Sequence, residues 1–201
     1  MSDEVTTLFP TVDDSTKGVP FWPRAGARII DMVLHYAVAL VGGVCAGIVI
    51  AILAVARNRN PDSVMQQATS GVLPFLGALV GATLGGTVME AVHGSTFGKR
   101  ILGYVVLGEN GAPCTLTQAF KRNLLYLVDS LFFGVIAWNV MKQSPSNQRY
   151  GDQWADTIVR ERKDVSPSVL RSDGTFVVAV LAGCAVDAAC IGGFMVLKSL
   201  I

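Results

Sequence analysis

The sequence predicts an all-α multi-pass membrane protein, with three transmembrane helices plus a membrane-associated helical hairpin and a small cytoplasmic β element. Two observations carry this reading. Of the 201 residues, 51% are hydrophobic and only 15% charged, whereas soluble domains carry about 25% charged residues. Three apolar runs also exceed the roughly 20 helical residues that a bilayer core requires. A third observation, the placement of Lys and Arg, sets the topology.

The first run, residues 29–56, holds only Asp31 and His35 as ionisable members and ends on Arg57. The second, residues 70–92, carries one charge, Glu90, with Pro74 tolerated near its start. The last, in residues 176–201, has Asp187 near its middle and closes on Lys198. The stretch 116–141 is different. It opens with Lys121 and Arg122, then runs apolar except for Asp129 and Asn139, and Gly134 offers a break. It either crosses once or forms two short helices that leave on the side they entered. If it crosses, the 16 basic residues divide evenly between the two sides; if it does not, 13 lie with the N-terminus and 3 opposite. Cytoplasmic loops carry the excess of Lys and Arg. The count therefore favours three crossings, a non-crossing hairpin and a cytoplasmic N-terminus, in the cell (inner) membrane.

Residues 1–20 contain Asp3, Glu4, Asp13 and Asp14 and lack the basic and apolar regions of a secretory signal. They read as a disordered cytoplasmic tail. Residues 21–162 form the main membrane unit, 163–175 a linker, and 176–201 an additional C-terminal helix. Between the second run and the hairpin, Gly103 to Leu107 is strand-like and Asn110-Gly111 signals a turn. Thr115 and Gln118 fit a capping box that opens a helix. Asp156 to Arg160 is a second β-like piece, expected to pair with the first.

Small residues recur at helical spacing. Gly77, Gly81 and Gly85 make two GxxxG steps, and Gly43 and Gly47 another. Such faces let helices approach closely in lipid. They serve either packing within the chain or a homo-oligomer interface.

Arg24, Arg28, Asp31 and His35 are spaced 4, 3 and 4, so they share one helix face. The expected pairs are Arg28 with Asp31 and Asp31 with His35. Glu90, Lys99, Arg100, Arg122 and Asp129 come from other segments to the same membrane surface. One charge cluster is expected, joining Arg24, Arg28, Asp31, His35, Glu90, Arg122 and Asp129. Two readings stand for it: anchoring and structural pairing at headgroup level, or a functional polar pocket. Asp187 cannot reach an interface and needs a partner, a water or a proton.

A net charge of +1 gives no reason to expect a nucleic-acid partner. No CxxC or Cys/His cluster is present, so no metal or cofactor is expected, and Cys45, Cys184 and Cys190 read as small buried hydrophobes with Cys114 a loop thiol. There is no HExxH or GxSxG, and His35 and His93 lie on different runs. The chain is not expected to be an enzyme. Its expected partners are the lipid bilayer, a small ion, and a second copy or another membrane protein.

Four motifs, in order, resemble the RDD family, named for one arginine and two aspartates. They are Arg24, Ala27 and Asp31; Gly94 to Val106 with Gly98, Lys99, Arg100 and Gly103 at its centre; Arg122-Asn123 with Asp129; and Gly151-Asp152 with Ala155, Thr157 and Val159. Phe97 and Asp156 depart from residues frequent in the family. The resemblance implies transport of an unidentified ligand, with sodium/proton exchange associated with some members. It does not reach Asp187. Transport of a small ion or proton through the charge cluster is therefore the first functional expectation. A non-catalytic membrane scaffold that recruits other proteins is the alternative.

Overall fold

The computed structural model describes residues 17–125 and 134–201. Helix α1 (Phe21–Ala56) is 36 residues long and starts eight residues before the apolar run, so Arg24 and Arg28 belong to the same helix as Asp31. At 1.5 Å per residue it is about 54 Å long, well beyond a ~30 Å hydrocarbon core. Helix α2 (Pro61–Thr69) was not legible as an element in the sequence. Asn60 caps it by accepting the Asp62 amide at 2.9 Å, and Pro61 occupies the first turn, where its missing N–H costs nothing. Helix α3 (Val72–His93) returns across the bundle and stops at Gly94, whose φ of 84° provides the left-handed C-cap.

At the end where α3 finishes, a compact extramembrane layer begins. Helix α4 (Phe97–Ile101) leads through Gly103 into strand β1 (Tyr104–Gly108). Helix α5 (Leu116–Leu124) opens on the expected capping box, with Thr115 and Gln118 bonded reciprocally. Helix α6 (Val135–Gln143) starts at Gly134, φ 83°, where a break was expected. Helix α7 (Tyr150–Trp154) and strand β2 (Thr157–Glu161) follow, and a single 3-10 turn (Arg162–Asp164) leads toward helix α8 (Asp173–Leu200). The expected strand pairing is found: β1 and β2 run antiparallel with Val106 opposite Val159.

Among the described residues, three helices, α1, α3 and α8, are long and apolar enough to cross a membrane. Their inner faces repeat every four residues: Gly42, Ala46, Ile50 and Ala54 on α1; Gly77, Gly81 and Gly85 on α3; Ala179, Gly183, Asp187, Ile191 and Met195 on α8. Their outer faces present Ile29, Val33, Leu40, Ile48, Ile52, Val178 and Leu181 to the surroundings. Exposed apolar area on that scale suits lipid tails rather than water. The chain is thus an all-α multi-pass membrane protein with a two-stranded sheet at one end.

The α3 glycines pack within the chain. A Cβ on Gly77 would lie 2.8 Å from Phe194 Cβ, and one on Gly85 would lie 2.8 Å from the Gly183 carbonyl oxygen. Gly47 faces Met65 of α2, whereas Gly43 has open space and its neighbour Gly42 makes the close approach to Ala188. On α1, then, the small-residue face is shifted by one position at its first step.

The segments on either side of 116–141 meet at one end of the bundle: β1 pairs with β2, and α5 contacts α7. The chain therefore returns to the end it left. That end gathers Arg24, Lys99, Arg100, Arg122, Arg149, Arg160 and Arg162, while Arg57, Arg59 and Lys198 lie at the other, where Lys198 reaches Ser70.

Candidate functional site

The expected single charge cluster is divided in three. The first part sits where α1, α3, α5 and α7 converge. Glu90, Arg122 and Asp152 are each 0% exposed there. Arg122 lies 3.2 Å from Glu90 and 3.1 Å from Asp152, as ion pairs rather than aligned hydrogen bonds. Asp152 also receives Arg24 from α1 and Arg149 Nε at 3.2 Å. Glu90 receives Lys99 and the Asn123 amide at 2.9 Å. Four cations thus share two carboxylates among the described residues. Burial alone would raise the Asp152 carboxyl, but Arg24, Arg122 and Arg149 hold it well below the usual range. Lys99 moves the opposite way: burial pulls it down to about 8 although Glu90 opposes this.

Asp152 is the residue the sequence reading undervalued. Taken as a motif position, it is the anion that binds Arg24. The i, i+3 relation of Arg149 to Asp152 was the available signal; the long-range partners, 128 residues away for Arg24, had none.

The second part corrects the pairing expected between Asp31 and His35. The Asp31 oxygens do not go to His35. They accept the Gly98 amide and the Thr96 hydroxyl, both at 2.7 Å. Thr96 is the N-cap residue of α4, so Asp31 caps the first turn of that helix from a different segment, satisfying donors that a helix start leaves open. Gly98 permits this by its size: a Cβ there would overlap the Ala27 carbonyl oxygen and lie 2.9 Å from its carbon. Gly151 acts likewise against α5, where a Cβ would come within 2.8 Å of the Arg122 carbonyl oxygen. Two motif glycines are therefore places where helices touch backbone to backbone.

The third part lies deeper. His35 Nδ1 is 2.7 Å from Asp187 Oδ2, joining α1 to α8 within the membrane span. Gly81 makes room for this carboxylate, since a Cβ there would overlap Asp187 Oδ1. That oxygen has no hydrogen-bond partner among the described residues. Asp187 also lines a cavity of about 40 Å³, together with Arg28, Asp31, His35, Met89 and Thr96. Arg28 contributes positive charge toward Asp31. Arg100 belongs to none of the three parts; it pairs with Asp173 at 2.6 Å. Asp129, the remaining member of the expected cluster, lies outside the described residues.

A model of the RDD family matches residues 19–156. The chain belongs to the RDD family. The match takes in Arg24, Asp31, Glu90, Lys99, Arg122 and Asp152, so the buried ion network and the Asp31 cap are parts of its RDD region. It ends one residue before β2 and does not include α8, so Asp187 is an element of this RDD protein outside the matched region. Neither the curated proteins nor the solved structures give a match.

Proposed function

We propose that this RDD-family protein conducts a proton or a small cation, using the His35–Asp187 pair and the cavity beside it. The observation that carries the reading is a carboxylate at membrane depth that lines this cavity, with one oxygen on an imidazole and the other without a hydrogen-bond partner among the described residues. Ionisable groups inside a membrane are costly, and they are retained where a pathway uses them. A space of about 40 Å³ takes roughly one to three waters, so it suits a proton or a partly hydrated cation and is too small for an organic solute. An imidazole and a carboxylate in direct contact are groups that can hold a proton and pass it on. Asp31, on the same cavity, supplies a second carboxylate nearer the N-terminal end.

By contrast, the Arg24–Asp152–Arg122–Glu90 network is closed on itself. Its groups are buried and in mutual contact, and it fastens α1, α3, α5 and α7 together. We assign it a structural role. By the excess of basic residues, the end carrying this network faces the cytoplasm of the cell membrane.

Proteoliposomes test the reading. With an imposed pH or sodium gradient, wild-type protein is expected to dissipate it faster than empty liposomes. Asp187→Asn and His35→Ala should each reduce that flux at least about tenfold while the protein still elutes as folded. Equal flux from wild type and Asp187→Asn would overturn the assignment. Wild-type flux no greater than that of empty liposomes would favour the scaffold role, in which the extramembrane layer recruits partners.

A further inference from the structure

A second polar cluster occupies the N-terminal end of the bundle, on the side where α3 ends and α8 begins, and neither the ion network nor the cavity includes it. Arg100, on α4, lies over the Phe176 ring with its guanidinium carbon 5.7 Å from the centroid. Arg162, in the 3-10 turn after β2, places Nη1 3.5 Å from His93 Nε2. Arg171 donates to the Ala91 carbonyl oxygen, two residues before the end of α3. His93 and Phe176 are themselves in contact, ring centroids 5.1 Å apart, so Arg100 and Arg162 meet one aromatic pair, with Arg171 bonded to the α3 backbone two residues from His93.

The charge here is unbalanced. Asp173 is the carboxylate bonded within the cluster; it pairs with Arg100 and is largely exposed. The nearby Glu161 is engaged by Lys163 at 2.7 Å. Burial, and after it the neighbouring Arg100, draws the Arg162 guanidinium below its ordinary value against the pull of Asp173. His93 Nδ1 has no hydrogen-bond partner among the described residues. An anion is what such an arrangement lacks.

Position says which anion. The apolar run of α8 starts at Phe176 and that of α3 ends at His93, so the cluster sits where hydrocarbon gives way to headgroups. Guanidinium groups match phosphate oxygens with paired N–H donors, and rings such as Phe176 are at home beside the first acyl carbons. We propose that Arg100, Arg162 and Arg171 form a site for the phosphate group of an anionic phospholipid, seated over His93 and Phe176. Two of the three arginines lie beyond residue 156, so the site is not inherited from the region matched by the family. It is independent of the conduction reading.

Native mass spectrometry of the full-length protein in mild detergent tests it, with phosphatidylglycerol and phosphatidylcholine offered separately. Wild type should retain phosphatidylglycerol preferentially. Arg162→Gln should weaken retention about fivefold, and Arg162→Gln/Arg171→Gln about 25-fold, from about fivefold per guanidinium removed. Arg57→Gln/Arg59→Gln, at the opposite end, should change nothing. Equal retention of both lipids by wild type overturns the proposal, and this comparison stands even if the double variant fails to fold. A separate arm offers inorganic phosphate without lipid. Thermal stabilisation of wild type by phosphate, lost in Arg162→Gln and without any preference for phosphatidylglycerol, would overturn the lipid assignment in favour of a free-anion site.

Discussion

Asp152→Asn is expected to cost the folded protein about 3–5 kcal/mol, since it leaves Arg24, Arg122 and Arg149 around a neutral amide. At roughly 2–4 °C per kcal/mol for a chain of this size, the unfolding midpoint in detergent should fall by about 6–20 °C. The reason is the geometry. Asp152 is fully buried, and three guanidiniums from three separate segments converge on its two oxygens. Removing the anion both strips their partner and sets them against one another. A half-exposed carboxylate such as Glu161, which pairs with the exposed Lys163, should change stability by less than about 1 kcal/mol when made Gln. Equal shifts for the two variants would show that the network is not what holds α1 to α7.

The same residue sets an acid limit. Because the folded protein keeps the Asp152 carboxyl well below its ordinary value of 3.8, the folded state takes up that proton only at lower pH than the unfolded chain does. The stabilisation is fully present above about pH 4 and is lost progressively as pH falls below it. A plot of unfolding midpoint against pH should therefore drop on the acid side for wild type. The drop should be shallower in Asp152→Asn, which has no proton to take up at that position.

How much of this was legible in the sequence follows from which interactions are local. The three spans rest on continuous apolar runs. The capping box of α5 needs only Thr115 and Gln118, three residues apart, so both were readable. The strand pair was readable because each strand has its own β pattern and one plausible mate. Helix α2 escaped because its apolar contacts, Val64 and Ala68 on Ile50 and Met195, are few and lie between two louder signals. The site was harder. The sequence located Asp31, His35, Glu90, Arg122 and Asp187 as charges that need partners, but spacing along one helix paired Asp31 with His35, a pairing the fold does not make. Asp31 and His35 share a face of α1, yet His35 reaches Asp187, 152 residues away, and Asp31 turns to the start of α4. Four residues on a helix bring side chains near each other; a helix N-terminus or an opposed carboxylate on a packed neighbour offers a better-aligned partner. Tertiary geometry decides that competition, and periodicity carries no record of it.

Gly98→Ala is the second large effect expected. The added Cβ meets the carbonyl of Ala27 and lies 3.1 Å from Ile30 Cβ, and the first of these is helix backbone that cannot swing aside. Helix α4 must therefore withdraw from α1. Such overpacking costs about 1–3 kcal/mol. Withdrawal also lengthens the 2.7 Å bond from the Gly98 amide to Asp31, and a carboxylate left short of its donors adds about 1–3 kcal/mol. The two contributions separate in a double-mutant cycle with Asp31→Asn, read as thermal unfolding of the four proteins in one detergent. If Gly98 acts through the Asp31 cap, Gly98→Ala should cost less in the Asp31→Asn background, with a coupling of about 1 kcal/mol or more. Additivity within about 0.5 kcal/mol would mean that steric withdrawal alone carries the cost and that the cap survives it. Gly43→Ala marks the contrast: that site has open space, so it should be tolerated and should lose no stability. The difference between these glycines is one of backbone proximity, which is why one belongs to the motif that fastens α4 to α1 and the other faces outward from the bundle.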